Sequence, residues 1–505
     1  MDYATFILLL SLLSTFIYTI TISGHRNSRL PPGPYPFPII GNLLKLGDKP
    51  HHSFATLSKR YGPLMSLKLG NRTTIANFPT VVSSPNIAKE FFQTHDREFS
   101  SRSVPATGQF VDHHKYSMVW LPVGKQWRRL RRISKEYLFS LQCLDGSEGL
   151  RAEKMQELVN HVNQCCAHEK EVHISAIAFT TTLNILSNFI FSTDFAQYVT
   201  SSQEFMEVVS ALMDAAAKPN LADFFPILKS LDLQGLLRRS NVGMAMGRVW
   251  DGIIDQRLQT RSSSSSYDND ITLSTNNDVL DLLLNLQMKD KCEFSRNDMR
   301  NLFLELIQHQ THSNGQWSSF FVTQKNETRS EVVEHMRNII ETYKNRISLD
   351  SHIYLQAVIK ETLRLHPPAP LLVPHQAIQD VEFQGFVIPK NAEILCNVWG
   401  MGRDPDVWRD PELFIPERFL NVGIEYKGQD FNLIPFGAGR RICPGLNIAH
   451  RILHTMLGSL IHKFDRKFKG NMRPQDMDME EKFGIVLQRK VPLMVIPTKL
   501  YLYLF

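Results

Sequence analysis

The segment PFGAGRRICPG, Pro435 to Gly445, constrains this chain more than any other stretch. Gly437, Gly439 and Gly445 permit close backbone approach around a single thiol, Cys443, while Arg440 and Arg441 place positive charge beside it. A cysteine serving only as core filler needs none of this, so the segment reads as a loop built around its sulfur. The other cysteines, Cys143, Cys165, Cys166, Cys292 and Cys396, show no CxxC spacing and no regular framework. The cysteines therefore suggest neither a zinc site nor a secreted disulfide scaffold.

Ala4 to Ile22, ATFILLLSLLSTFIYTITI, carries no charge and is long enough to cross a bilayer core of roughly 30 Å. His25, Arg26 and Arg29 follow it, and only Asp2 among charged residues precedes it. A cleaved signal peptide would carry its cations ahead of the apolar run. The pattern instead predicts a membrane anchor over residues 1–30, transmembrane at 4–22. Positive charge after the span places the N-terminus in the lumen and the body in the cytosol, where the thiols stay reduced. Pro31, Pro32, Pro34, Pro36 and Pro38 then forbid helix and give a stiff hinge over 31–38. A net charge of +6 is modest for 505 residues. It fits an ordinary solvated surface or attraction to anionic lipid or an acidic redox partner, and no nucleic-acid partner is expected.

No repeat period and no shift in composition after residue 40 marks a second domain, so residues 31–505 read as one large body. Helical periodicity dominates it. MSLKLGNRTTI and VVSS, within residues 61–84, alternate apolar and polar side chains and predict a small β-region. The run RSSSSSYDNDITLSTNND, 261–278, has almost nothing to bury and predicts a mobile surface loop, with DVLDLLLNL after it as an amphipathic helix.

The pattern FxxGxRxCxG is filled by Phe436, Gly439, Arg441, Cys443 and Gly445, and here the chain resembles the cytochrome P-450 family of haem-thiolate monooxygenases. The resemblance implies haem b as cofactor, iron held by the Cys443 thiolate, and a mainly α fold with a small β-region. A thiolate ligand pushes electron density through the iron. The amides and arginines beside Cys443 are expected to keep its sulfur ionised. Three further segments match the family in order. In KETLRLHPP, Glu361 and Arg364 stand three apart on one helix face; taken singly they would form an ordinary surface ion pair. The resemblance joins them to Arg418 of PERF in a buried Glu-Arg-Arg cluster. WRRLR alone is a basic helix; by resemblance its Trp127 and Arg131 hydrogen-bond a haem propionate. Where the family usually carries an arginine after LLP, this chain reads LLVPH, and His375 is expected to donate instead, with a charge that follows pH.

The phrases AFTTTLNILSNFIFS, KPNLADFFPIL, DMEEKFGIVLQ and the HHK of 113–115 are similar to the plant group containing geraniol hydroxylases and the tyrosine- and dopa-oxidising enzymes of betalain synthesis. His113 and His114 lack a spaced partner and read as loop residues near the substrate entrance rather than metal ligands.

One segment breaks the pattern. ELIQHQTHSNGQWSSFFVTQK, 305–325, stands where the family has a central helix with a motif close to AGTDTT, whose small residues leave room for O2 and whose acid and alcohol relay protons. Alignment on LFLELI puts His309, Gln310, Thr311, His312, Ser313 and Asn314 there. Ser313 can stand for the alcohol, and His312 takes the place of the acid. His309 and Gln310 would fill space that oxygen needs, and His309 could reach the iron as a sixth ligand or serve as a distal histidine. Written with permitted codons and read from the third nucleotide, QWSSFFVTQK becomes MELFFRNPE, close to the family's normal continuation. A second break is the insertion Ala76 to Thr80, ANFPT, in a predicted strand that Pro79 would interrupt. Together they point to a damaged allele, a pseudogene product or a faulty gene model.

The implied activity is insertion of one oxygen atom from O2 into a small plant metabolite, a monoterpenoid alcohol or a phenolic, tyrosine-derived compound. Electrons would come from NADPH through a membrane-bound cytochrome reductase at the endoplasmic reticulum. Substrate contacts are expected from residues 101–120, the irregular helix, Ala369 to Pro374 and Phe483 to Leu487. Two alternatives stay open: a catalytically silent haem protein, and a peroxide-rearranging haem-thiolate lyase that needs no reductase.

Overall fold

A computed structural model describes residues 2–25, 29–70, 79–109, 112–198, 220–264, 278–289, 294–307, 353–468 and 476–499. His309, Gln310, Thr311, His312, Ser313, Asn314 and the shifted QWSSFFVTQK stretch lie outside the described residues, as do Ala76 to Phe78.

Helices make most of the fold. Ile174–Phe191 is apolar on every face, and 83% of it is buried. Its length and hydropathy would suit a bilayer, yet its burial against Glu148–Ala167 and Val279–Lys289 makes it a core helix. Trp250, Phe191 and Phe303 close the same core, with the Phe191 and Trp250 rings stacked 5.4 Å apart. By contrast, Tyr3–His25 forms a 23-residue helix whose described large side chains, from Tyr3 to Phe16, are exposed. At 1.5 Å per residue it is about 34 Å long.

The main sheet has four short strands in the order Leu64–Ser66, Thr80–Val82, Glu393–Cys396, His375–Gln376. The first pair is antiparallel with Leu64 opposite Val82, the middle pair parallel with Val81 beside Leu395. Leu64 to Ser66 and Thr80 to Val82 are buried on both faces, so the alternation expected of a half-exposed sheet is not what holds them. Pro79 does not interrupt a strand. It stands just before Thr80, where its missing N–H costs nothing, and its carbonyl accepts from Leu67 N at 3.0 Å.

The proline-rich hinge is fastened to this sheet rather than free. Ser66 N and Oγ donate to Pro32 O and Pro31 O at 2.9 and 2.6 Å, and Asn42 Nδ2 donates to Pro34 O and Tyr35 O. The approach requires Gly33, because a Cβ there would stand 1.9 Å from Ser66 O.

The serine-rich loop is shorter than its composition suggests. Arg261 to Ser264 finish the helix Leu236–Ser264, and Arg261 pairs with Asp281 at 2.7 Å. Asp278 is buried, accepts from Arg257 at 2.8 and 3.0 Å, and receives the Asp281 N–H at the start of Val279–Lys289. Charge pairing therefore anchors both ends of a stretch whose middle, 265–277, lies outside the description.

Candidate active site

The Cys443 loop owes its shape to two left-handed glycines, Gly437 and Gly439, with φ of +73° and +67°. A Cβ on Gly439 would meet Phe92 O at 2.8 Å, so only glycine lets the loop pass that backbone. Cys443 N donates to Phe436 O at 3.0 Å, and Gly445 then opens the helix Leu446–Lys463. The thiol faces a cavity that also receives Arg102, Arg131, Arg441, Trp127, His375, Phe436 and Glu305. The cavity is open at one side and spans ≈ 1370 Å³ when the space open to solvent is included.

Three arginines meet there, and each reached it from a different part of the chain. Arg441 donates to Ser100 O at 2.9 Å, Met118 O at 3.0 Å and Leu121 O at 2.5 Å, and lies over the Trp127 ring at 4.9 Å. Arg131, on the helix Lys125–Ile133, donates to Ile442 O at 2.5 Å. Arg102 donates to Val373 O and, at 3.0 Å, to Pro374 O, while its Nε is buried without a partner. Among the described residues, no carboxylate lies within ion-pair distance of any of the three. Burial lowers the pKa of all three. Arg440 turns away and pairs with Asp96 at 2.7 Å.

Burial pushes the Cys443 thiol up, and only the Gly445 amide and Arg131 pull against it. Of the groups expected to favour the ionised sulfur, the Gly445 amide and Arg131 do so, whereas Arg440 pairs with Asp96 and Arg441 donates to backbone carbonyls. His375 lines the same cavity. Its Nδ1 lies 2.8 Å from Phe99 O, an acceptor, so Nδ1 carries the proton. Burial, then Arg102, hold its pKa well below the ordinary histidine value, leaving the ring neutral and Nε2 an acceptor. Trp127 directs its indole N–H to Met118 O at 3.1 Å.

Glu361, Arg364 and Arg418 do meet. Arg364 donates to both oxygens of Glu361 at 2.7 and 2.8 Å with both side chains fully buried, and Arg418 Nε reaches Glu361 Oε1 at 3.1 Å. Arg364 also donates to Gly402 O at 2.5 Å and Pro411 O at 2.7 Å, so a pair costly to bury is saturated with hydrogen bonds.

Sequence reasoning missed Arg102 and Glu305. Glu305 sits on the helix spanning 296–307, the described start of the central helix, where its carboxylate accepts from Ser117 Oγ and, at 3.3 Å, from Val119 N. Burial raises its pKa to about 7. The available signals were an acid inside the apolar LFLELI and the lone cation in FSSRSVP. His113 lies on the short helix His113–Tyr116 and its Nδ1 donates to Asn301 Oδ1 at 2.5 Å, so it ties that segment to the central helix; it does not line the cavity.

The cytochrome P450 family profile matches residues 31–496. Cytochrome P450 76T24 of Catharanthus roseus is 47% identical over 98% of this chain and 99% of its own length. Geraniol 8-hydroxylase of the same plant is 41% identical over 99% and 100%. Ferruginol synthase of Isodon rubescens is 40% identical over 98% and 99%. The chain belongs to the cytochrome P450 family. This family binds haem b through a cysteine thiolate to iron. The residues present fit that group: a largely apolar cavity with one thiol, and buried guanidinium groups lacking carboxylate partners, one with a bare Nε, suits an apolar macrocycle bearing two carboxylates.

Proposed function

We propose that this chain is a reductase-coupled haem-thiolate monooxygenase that hydroxylates a small plant metabolite, a monoterpenoid alcohol or a phenolic, tyrosine-derived compound. The observation that carries the reading is the convergence of Cys443 with Arg102, Arg131 and Arg441 on one cavity. Cys443 would hold the iron; the three arginines would hold the propionates, joined by Trp127 if its N–H exchanges Met118 O for a propionate oxygen and by His375 as a donor only when protonated. Bound there, haem b supplies the oxygen-activating iron, with electrons passed from NADPH by a membrane flavoprotein reductase.

The rest falls to the chain itself. Val119, Leu306, Ala369, Val373, Ile485 and Val486 line the cavity and would present an apolar wall to the substrate. These residues come from the four segments expected to touch substrate. Glu305 holds the Ser117–Val119 backbone against the central helix and so fixes one side of that wall. Ser313 and His312 would relay protons in place of the usual alcohol and acid. The exposed helix Tyr3–His25 supports an anchor in the endoplasmic reticulum membrane, with residues 31–505 as one cytosolic domain behind the pinned proline segment.

The sequence HQTHSN at 309–314 favours a second reading, a haem protein that no longer oxidises anything. Purified protein with reductase, NADPH and a panel of monoterpenoid alcohols and tyrosine-derived phenols separates them. The first reading expects product formed only with NADPH; haem loading without product establishes the second. Turnover of a lipid hydroperoxide without NADPH would instead establish a lyase.

A further inference from the structure

His51 and His52 are neighbours in the first turn of the helix Pro50–Tyr61, and neither lines the cavity. Their Nε2 atoms each lie 3.1 Å from the same oxygen of Glu481, Oε2. The three donor atoms fall within 4.8 Å of one another. On the other side of the carboxylate, His366 Nδ1 stands 3.1 Å from Oε1, and Trp399 Nε1 donates to it at 3.5 Å. His51 is fully buried, its ring stacked on Phe483 at 5.3 Å, and Glu481 is nearly so. The His52 side chain is 42% exposed and leaves a path from solvent to the cluster.

Two imidazoles and a carboxylate are a zinc donor set, with water completing a tetrahedron. Bonds of about 2.0–2.2 Å at tetrahedral angles set donor atoms roughly 3.3–3.5 Å apart, close to the spacing that both histidines keep from Glu481 Oε2. His366 and Trp399 hold the carboxylate by its second oxygen, as outer partners of metal-bound carboxylates do. A carboxylate saturated by hydrogen bonds alone would use the same atoms, with each Nε2 protonated.

The cluster joins parts of the cavity wall. Glu481–Lys482 leads into the turn carrying Ile485 and Val486, which line the cavity, and His366 leads into Pro368 and Ala369, which also line it. Leu487 N donates to Pro368 O at 2.8 Å and ties those two segments together. We propose that His51, His52 and Glu481 bind one divalent ion of the zinc type, which clamps the Pro50–Tyr61 helix to this wall.

The test uses the full-length, haem-loaded protein, dialysed against micromolar zinc sulfate and freed of loose ion by gel filtration. Metal is counted by elemental mass spectrometry against chain counted by amino-acid analysis. The expected result is about one zinc per chain, with a first shell of nitrogen and oxygen at about 2.0–2.2 Å in zinc-edge absorption. That zinc should be lost in His52→Ala and in Glu481→Gln. His52→Ala changes a half-exposed side chain and leaves the core filled, so an unchanged Soret band will show that the variant is folded. Wild-type protein that retains no zinc, or His52→Ala that retains as much as wild type, overturns the proposal.

Discussion

At Glu305, burial and hydrogen bonding oppose each other, and burial prevails. The carboxyl keeps its proton up to about pH 7 although Ser117, the Val119 and Met118 amides and Arg441 all favour the charged form. Its folded pKa is therefore raised above the ordinary glutamate value of 4.5. Between those two values the folded chain holds more protons than the unfolded one, so its stability falls as pH rises. Glu305→Gln cannot titrate, yet its Oε1 can accept the same bonds. Relative to wild type the variant should gain stability from pH 4.5 to 7, by up to about 3 kcal/mol, read as diverging thermal midpoints. Parallel curves would show that this group does not titrate as its burial requires. Cys443 was legible among its glycines, whereas Glu361 and Arg364, locally an ordinary surface ion pair, were legible as a buried cluster only through the family resemblance. Arg102 and Glu305 were not, because the groups that explain them, Val373 and Ser117, lie 271 and 188 residues away. His375 was half legible. Its propionate-facing position was implied by the family resemblance at LLVPH, but its tautomer is set by Phe99 O, which no local pattern announces.

Among the elements, the helices followed their apolar periodicity, and Val279–Lys289 stands where DVLDLLLNL put it. The small sheet was found for a reason that does not hold, since its strands are covered on both faces instead of alternating. Composition misjudged the ends of the serine-rich stretch, because Arg257, Arg261, Asp278 and Asp281 order them by charge pairing. The central helix is the element on which function turns. Its described portion ends at Ile307, and the sequence from His309 to Asn314 holds no Asp or Glu and has His309 and Gln310 where the family motif begins with two small residues. Replacing His309 to Asn314 with AGTDTT should raise product formed per NADPH consumed by about tenfold or more, the scale of a restored acid–base group. Native protein that already couples as well as the chimera would show that HQTHSN relays protons adequately.

The molecule as a whole comprises an exposed apolar helix, a proline segment tied to the sheet by Ser66 and Asn42, and a body that holds the cavity. Because the tie is made by backbone and buried side chains, the body should not depend on the helix. Deleting residues 2–25 should move the protein from a carbonate-resistant membrane pellet largely to the soluble fraction, with its Soret spectrum unchanged. Persistence in the pellet would mean that other surface holds the membrane. Whether the cavity holds haem through Cys443 is decided by the reduced, carbon monoxide-treated spectrum of the full-length protein beside Cys443→Ser. A thiolate-type Soret shift in the wild type that disappears in the variant is the predicted result; a wild type with bound haem and no such shift would contradict it.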